Sequence, residues 1–351
     1  MLCCFLFPVW GQEVAWSVDM AAMFQNREGG DEQSPDQTFL FTRIAPEVGL
    51  SLLDGTHKLM GGVAWYQPMT DNCEGHKVVP TIYYKYEKGP WTVALGMLPR
   101  SLMQRKAPTL LWSDSLNFTT PNVRGTIIRH ATQRGQVQLM LDWRQMQSTT
   151  RREAFNVLFD SHYRIAGPLA IDAWLQLNHL AKTKDAGDDQ HVNDDISLLP
   201  MLSLDLAPYT SMQALNLSAG AAVQLQRARN EHKWHTPCRL VARAHARWRW
   251  LEATEEFSTG KDAFPLYDQF GPELNLGDPY WRHKTYSRTD VKAHIVNNSF
   301  VDLTAGLTMH VTGKVTGFWQ QLSCRVYIDN DLWHHRRDKQ RLAASQLNST
   351  L

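Results

Sequence analysis

Apolar and polar residues alternate along nearly the whole chain, in runs of about ten residues. Between Asn216 and Gln226 the odd positions, from Leu217 to Leu225, are apolar, and the even positions are polar or small. Because a β-strand points successive side chains to opposite faces, each run predicts a strand with one apolar and one polar face. About sixteen such runs follow one another, which predicts an all-β fold: a single antiparallel transmembrane barrel of about 16 strands (14–18), of the outer-membrane type.

A soluble β-sandwich or propeller would also alternate, but three features count against it. Apolar faces of five or six positions are long enough for tilted strands to cross a hydrocarbon layer of roughly 25–30 Å. The polar face between Arg239 and Arg249 carries four arginines, and a dry core would leave them without water or partners. Aromatic residues near the ends of the apolar faces suit a membrane interface; they are Trp16, Phe24, Trp65, Tyr66, Trp91, Trp143, Trp248 and Trp250.

Composition is compatible with this fold. The chain has 351 residues, a net charge of +1 and a hydrophobic fraction of 43%, and its mean hydropathy is −0.38. Such values suit a barrel, in which only every second strand residue meets lipid, better than a bundle of membrane helices. The near-neutral charge gives no reason to expect nucleic acid as a partner. Because the strand pattern never breaks for a linker, we expect one structural unit.

The pattern divides the chain into three parts. Residues 1–12 contain an apolar run followed by Gly11-Gln12, and we interpret them as the end of a truncated signal peptide. A short buried N-terminal strand is the alternative. Residues 13–328 carry the barrel pattern, and residues 329–351 form a polar C-terminal tail without it. The cysteines after the signal, at positions 73, 238 and 324, have unrelated spacings and predict no disulfide framework.

Turns and long connections suit the two rims of a barrel. Asp54-Gly55 predicts a two-residue hairpin turn, and short turns of this kind belong at one rim. Three connections are much longer, at 99–122, 182–195 and 261–280. The first and third contain leucines and aromatic residues that need shelter from water, so we expect at least one of them to fold into the lumen.

Basic residues on the polar faces are the candidate functional groups. We expect a pore-lining ladder made of Arg239, Arg243, His245, Arg247, Arg249, Arg288, Lys292 and His294. Unpaired cations in a wet pore would favour anions. Alternatively, carboxylates on neighbouring strands neutralise the ladder, and like charges in a row favour this second arrangement. The nearby acidic residues are Asp205, Glu252, Asp290 and Asp302. We therefore expect weak ion selectivity.

Motifs that carry enzymatic chemistry are missing from the sequence. None of the 14 histidines begins a His-x-Ser, and the sequence has no Gly-x-Ser-x-Gly, no His-Glu-x-x-His and no P-loop. The adjacent acids Glu255 and Glu256 would point to opposite faces of a strand and could not flank one bond. The sequence thus predicts no enzyme, no cofactor and no metal site.

Several segments resemble porin-like outer-membrane barrels of the Bacteroidetes, and the resemblance runs from residue 13 to residue 328. The segments that carry it include FQNRE at 24–28, RIAPEVGL at 43–50, SDSL at 113–116, TRREAF at 150–155, GDPY at 277–280 and YSRTD at 286–290. The resemblance implies a bacterial outer-membrane protein with a pore or scaffold role. Its expected partners are outer-membrane lipid, small hydrophilic solutes, and lipopolysaccharide or surface glycan.

Three functional hypotheses follow from the sequence. The first is a porin for small hydrophilic solutes. The alternatives are a non-conducting barrel that binds surface polysaccharide or a partner lipoprotein, and a soluble secreted glycan-binding β-protein.

Overall fold

The chain forms a closed barrel of sixteen antiparallel strands in the computed structural model, which describes residues 12–30, 35–69, 75–187 and 190–335. Each strand pairs with its neighbours in sequence, and the first strand closes the barrel by pairing with the last. In that closing pair Ser17 lies opposite Asp329 and Glu28 lies opposite Phe318. The predicted fold class and strand number are confirmed.

The strands are long enough to cross a membrane when tilted. They are β1 (Gln12–Glu28), β2 (Gln37–Leu52), β3 (His57–Pro68), β4 (Lys77–Lys88), β5 (Trp91–Pro99), β6 (Asn122–Ala131), β7 (Gly135–Gln145), β8 (Ala154–Ala166), β9 (Leu169–Leu180), β10 (Asn193–Asp205), β11 (Ala214–Ala228), β12 (Cys238–Trp248), β13 (Leu251–Gly260), β14 (Thr285–Asn297), β15 (Val301–Thr312) and β16 (Thr316–Asp329).

Helices are few and short in the described part of the chain. They are α1 (Asp114–Thr119), α2 (Tyr267–Leu274) and α3 (Asn330–His335). No described helix has both the length and the apolar character needed to span a bilayer. Residues 1–11 and 336–351 lie outside the described residues, so the predicted signal peptide is represented only by Gln12, which opens β1, and the predicted tail only by Asp329 and α3.

Short and long connections lie at opposite rims of the barrel. The short-turn rim holds the tight turns, such as the one between β12 and β13, together with the start of β1 and the end of β16. The predicted Asp54-Gly55 turn lies here but is longer than expected. Leu52 pairs with His57, so four residues form the connection, and Leu53, Asp54 and Gly55 all have positive φ. The other end, called the long-loop rim, carries the long connections 100–121 and 261–284.

Alternation along the strands separates a lipid-facing surface from the lumen. Leu240 and Leu307 on the outer surface are 65% and 45% exposed, whereas Gln224 and Asp142 on the inner face are only 2% exposed. A register shift of one residue would exchange these two sets. The face of each strand was therefore predictable from the sequence.

Two connections from the long-loop rim fold into the lumen, as the sequence predicts for at least one of them. The first inward segment is 100–121 and the second is 261–284, and together they are called the plug. The plug has an apolar core of fully buried side chains: Leu110, Leu111, Phe264, Tyr280 and Trp281. Backbone hydrogen bonds join the two segments, from Ser113 to the Leu276 carbonyl at 2.7 Å and from Asp278 to the Thr109 carbonyl at 2.8 Å.

Candidate functional site

A cavity of about 960 Å³ lies in the lumen between the plug and the short-turn rim. Most of the residues that line it are polar, because the inner faces of the strands carry the polar half of the alternation. Six residues of the predicted ladder line it: Arg243, His245, Arg247, Arg288, Lys292 and His294. The structure thus brings most of the predicted ladder into one space.

The inner face of β12–β14, called the charged wall, alternates bases with acids across the strands. The register places Glu256 of β13 between Arg243 of β12 and Arg288 of β14. Arg243 Nε lies 2.9 Å from Glu256 Oε2. Two lumen-facing rows nearer the short-turn rim, Glu252 lies between Arg247 and Lys292 in the same way. Carboxylates of β13 therefore lie between the bases of β12 and those of β14, which the sequence analysis assigned to a single ladder.

Histidines of the charged wall share one of these carboxylates. Glu252 lies 3.6 Å from His245 Nε2 and 3.1 Å from His294 Nε2. The other ring nitrogen of His294 lies 3.3 Å from Asp302 on β15. These contacts further reduce the net positive charge that the ladder presents to the cavity.

Two members of the predicted ladder lie away from the cavity lining. The Arg239 guanidinium donates to the carbonyls of Lys261, His283 and Trp281 and to the Ser258 hydroxyl, so it fastens both ends of the second inward segment to the wall. Arg249 lies in the turn after β12 with a φ of 55°, which removes it from the alternation of the strand.

Arg288 also fastens the first inward segment. Its Nη2 donates to Asp114 Oδ2 at 2.7 Å, and Lys106 Nζ donates to Asp114 Oδ1 at the same distance. Burial alone would raise the pKa of the Asp114 carboxyl, but the Arg288 and Lys106 cations lower this pKa well below its usual value. Asp114 is therefore ionised and held between two cations.

Asp278 is a second buried carboxyl of the plug, and it lacks such close cations. It accepts a hydrogen bond from the backbone N–H of Tyr280 at 3.1 Å. Burial raises the pKa of Asp278 to about 6, and the more distant Arg288 and the Tyr280 N–H offset only part of this effect. The plug thus contains a carboxyl that titrates near neutral pH.

A serine, an aspartate and a histidine meet on the opposite side of the cavity. Ser203 Oγ donates to Asp172 Oδ2 at 2.5 Å, and His162 Nδ1 lies 2.9 Å from Asp172 Oδ1. Arg105 of the plug binds the same carboxylate at 2.5 Å. In a hydrolytic triad the imidazole stands between the serine and the acid. Here the acid stands in the middle, so this arrangement gives Ser203 no imidazole base.

A second serine–carboxylate group lies on the lipid-facing surface, in the middle of β13. Glu255 Oε1 accepts from Ser287 Oγ and Oε2 accepts from Thr289 Oγ1, both at 2.5 Å. All three side chains belong to the outward set, because the neighbouring Glu256 points into the lumen. Ionisable groups on a lipid-facing surface are costly and often functional.

Comparison with known protein families identifies the chain. The family model described as Lipid A 3'-O-deacylase-type matches residues 11–264, which is most of the chain. The chain belongs to the lipid A 3'-O-deacylase-type family. No curated protein matches it in sequence. The prediction that the protein is not an enzyme is therefore wrong, because this deacylase-type family is named for an enzymatic activity.

Solved structures with a similar fold include a mutant of an outer membrane protein. The loop L8 deletion mutant of OmpT from Vibrio cholerae is 11% identical with a TM-score of 0.53, and the match covers 91% of this chain and 100% of that one. Pseudomonas aeruginosa OccK2 (OpdF), solved in complex with glucuronate, is 8% identical with a TM-score of 0.52, and the match covers 92% and 99%. This member of the deacylase-type family is a porin-like barrel of the bacterial outer membrane, as predicted.

Sequence reasoning missed the residues that the plug brings to the walls. Arg105 and Lys106 were not singled out, because a charged pair in a connection normally faces solvent. Their position could have indicated a role in the lumen, because they lie in a connection that is rich in apolar residues and was itself predicted to fold inward. Glu255 was considered only as half of an acid pair with Glu256, although the alternation already assigns it to the lipid-facing side.

Proposed function

We propose that the barrel allows restricted passage of small hydrophilic solutes through its lumen. The observation that carries this proposal is the polar-lined cavity of about 960 Å³, which extends from the short-turn rim up to the plug. A polar lumen offers hydrogen-bond partners to a hydrated solute, whereas a sealed barrel would more easily be filled with apolar side chains. The plug then sets the size limit for passage.

Arg105, Lys106 and Ala107 of the plug would restrict this route, because they lie where two lumen cavities adjoin. These three residues line both the large cavity and a smaller one of about 60 Å³ on the other side of them. Arg105 holds this part of the plug to the wall through Asp160 and Asp172. Release of Arg105 should therefore widen the route.

Single-channel recording in planar bilayers tests the proposal. The wild-type protein is expected to give small, discrete conductance steps, and Arg105→Ala to give larger or longer openings. Arg124→Ala is the matched control, since Arg124 is exposed on the outer surface of β6. Absence of steps in both the wild type and Arg105→Ala would overturn solute passage and favour a non-conducting barrel.

As a second candidate function we infer hydrolysis of a lipid acyl ester. The family membership favours it, and the Ser287–Glu255 pair gives it a location. A lipid ester lies in the membrane beside the barrel, so it reaches a lipid-facing serine without entering the lumen. Ser203 in the large cavity is a poorer candidate because the plug and the wall separate it from lipid.

The chemistry would be transfer of the acyl group to Ser287 and then to water. Ser287 Oγ attacks the ester carbonyl while Glu255 takes its proton, and the same carboxyl returns this proton to the departing alcohol. Water then attacks the acyl-serine with Glu255 again as base, which releases a fatty acid and restores the serine. Thr289 donates to the other oxygen of Glu255 and fixes its orientation.

Mass spectrometry of lipids from cells that express the protein tests this second function. Loss of one acyl chain is expected with the wild type and with Ser161→Ala, which changes another serine of the outward set, on β8. This loss should disappear with Ser287→Ala and with Glu255→Gln. Unchanged lipids with the folded wild-type barrel, or equal deacylation by Ser287→Ala, would overturn the proposed hydrolysis.

A further inference from the structure

We propose that the smaller lumen cavity is a binding site for a small anion, either a free ion or the carboxylate group of a solute. The cavity has a volume of about 60 Å³ and lies between the first inward segment and the walls formed by β2, β8 and β16. This inference goes beyond solute passage, because the site would bind its ion whether or not the barrel conducts.

Cationic side chains dominate the polar lining of this cavity. They converge from the plug and from two strands that are adjacent to β1, and they are Arg43, Arg100, Arg105, Lys106 and Arg325. Each of them also binds a carboxylate, but none of those carboxylates is among the described residues that line the cavity. The carboxylates therefore fix the positions of these cations without lining the cavity. The charged side chains that line the cavity are all cationic.

Unsatisfied donors provide an independent observation. Trp112 lines the cavity and is only 3% exposed, yet its Nε1 has no hydrogen-bond partner. Asn117 Nδ2 and Arg43 Nε are also buried without partners and belong to lining residues. Buried polar atoms without a partner are uncommon and costly. Three unsatisfied donors around one space indicate a ligand that accepts several hydrogen bonds.

An anion suits this donor set better than a cation or an apolar group. A cation would require oxygen ligands, and an apolar ligand would leave the three donors unsatisfied. The volume is enough for a halide or a carboxylate group, since a cavity needs only about 10–15 Å³ of this kind of space to hold one water molecule. The Arg100 guanidinium stacks over the Trp112 ring, with 3.7 Å from Cζ to the ring centroid, and thereby fixes the direction of the indole N–H.

Thermal unfolding of the refolded full-length protein in detergent tests the site. Sodium chloride, bromide, formate and acetate are compared at constant ionic strength, with the bulky sulfonate MES as the balancing anion because it carries no carboxylate. The small anions are expected to raise the melting temperature saturably, as ligand binding to the folded state requires. If longer carboxylates such as hexanoate also act, the site accepts solute carboxylates from the large cavity; if only small anions act, it holds a free ion.

Trp112→Phe keeps an aromatic ring beside Arg100 and removes the unsatisfied donor together with the second ring of the indole, a loss of volume that the control below shares. It should weaken the apparent affinity about tenfold or more, the effect of losing one hydrogen bond to a charged group. The control is Trp143→Phe, because Trp143 Nε1 is also unpartnered but its ring stacks on Phe155 away from the cavity. A melting temperature that does not depend on the anion, an equal effect of both variants, or a crystal grown in bromide with no anomalous peak in the cavity would overturn the proposal.

Discussion

Arg288 on β14 binds Asp114 of the first inward segment, with 2.7 Å between Nη2 and Oδ2 and both side chains only 8% exposed. Arg288 also binds Asp290 on its own strand at 2.7 Å. One guanidinium thus joins the wall of the barrel to the plug, through a contact between residues 174 positions apart. Because both partners are buried, this contact contributes more to holding the first inward segment than an exposed ion pair would.

Asp114→Asn should unseat the first inward segment. The change leaves the volume of the side chain unaltered but removes the negative charge that Arg288 and Lys106 face, and breaking a buried ion pair costs about 3 kcal/mol or more. We expect the free energy of unfolding in urea to fall by about this amount. Glu87→Gln is the control, because Glu87 forms a more exposed pair with Lys85, and such pairs contribute about 0–1 kcal/mol. Equal effects of the two variants would contradict a stabilising role of the Arg288–Asp114 ion pair.

Asp278 should make the seating of the second inward segment depend on pH. Its pKa in the folded protein is about 6, above the ordinary 3.8, so the seated segment binds a proton more tightly than a released one. The contribution of Asp278 to the stability of the seated segment is therefore greatest below about pH 4 and is lost as the pH rises through 6. We expect hydrogen exchange in residues 261–284, corrected for intrinsic rates, to be faster at pH 8 than at pH 5.

Asp278→Asn should remove this dependence on pH, since an amide keeps the acceptor for the Tyr280 N–H without the charge. Asp268→Asn is the matched control in the same segment, because Asp268 is largely exposed. If Asp278→Asn retains the full dependence, another group is responsible.

Lipid-facing and lumen-facing positions of β15 should respond differently to the same change. Leu307→Arg places a charge on the outer surface near the middle of the strand and should destabilise the barrel by about 2–4 kcal/mol. Thr304→Arg places it in the large cavity, where the loss of the Thr304–Ser323 hydrogen bond costs about 1 kcal/mol. Urea unfolding in lipid vesicles measures both, and a larger cost at Thr304 would contradict the assigned faces.

Pairing across the charged wall predicts how ion selectivity changes. Arg243→Ser leaves Glu256 without its arginine at 2.9 Å, so the reversal potential should shift towards cations. The double variant Arg243→Ser, Glu256→Gln removes both charges and should return the reversal potential close to that of the wild type. A shift that persists in the double variant would show that Arg243 acts as an unpaired charge, as in the anion-selective ladder.

The alternation of the sequence determined which residues form strands and which face each side chain takes. Strand geometry fixes these properties locally, so Leu240 could be assigned to lipid and Arg243 to water without any contact being known. The inward folding of the segments 100–121 and 261–284 was also predictable, because their apolar side chains had no other shelter from water.

Only the tertiary structure decided which charges meet. The register between β12, β13 and β14 places Glu256 between Arg243 and Arg288, and the path of the plug brings Asp114 to Arg288 and Arg105 to Asp172. Such contacts depend on the shear of the barrel and on the docking of distant segments, and the local alternation of residues determines neither of them. The sequence therefore specifies the faces of the barrel, whereas the neutralised wall and the cationic cavity behind the plug arise from its closure.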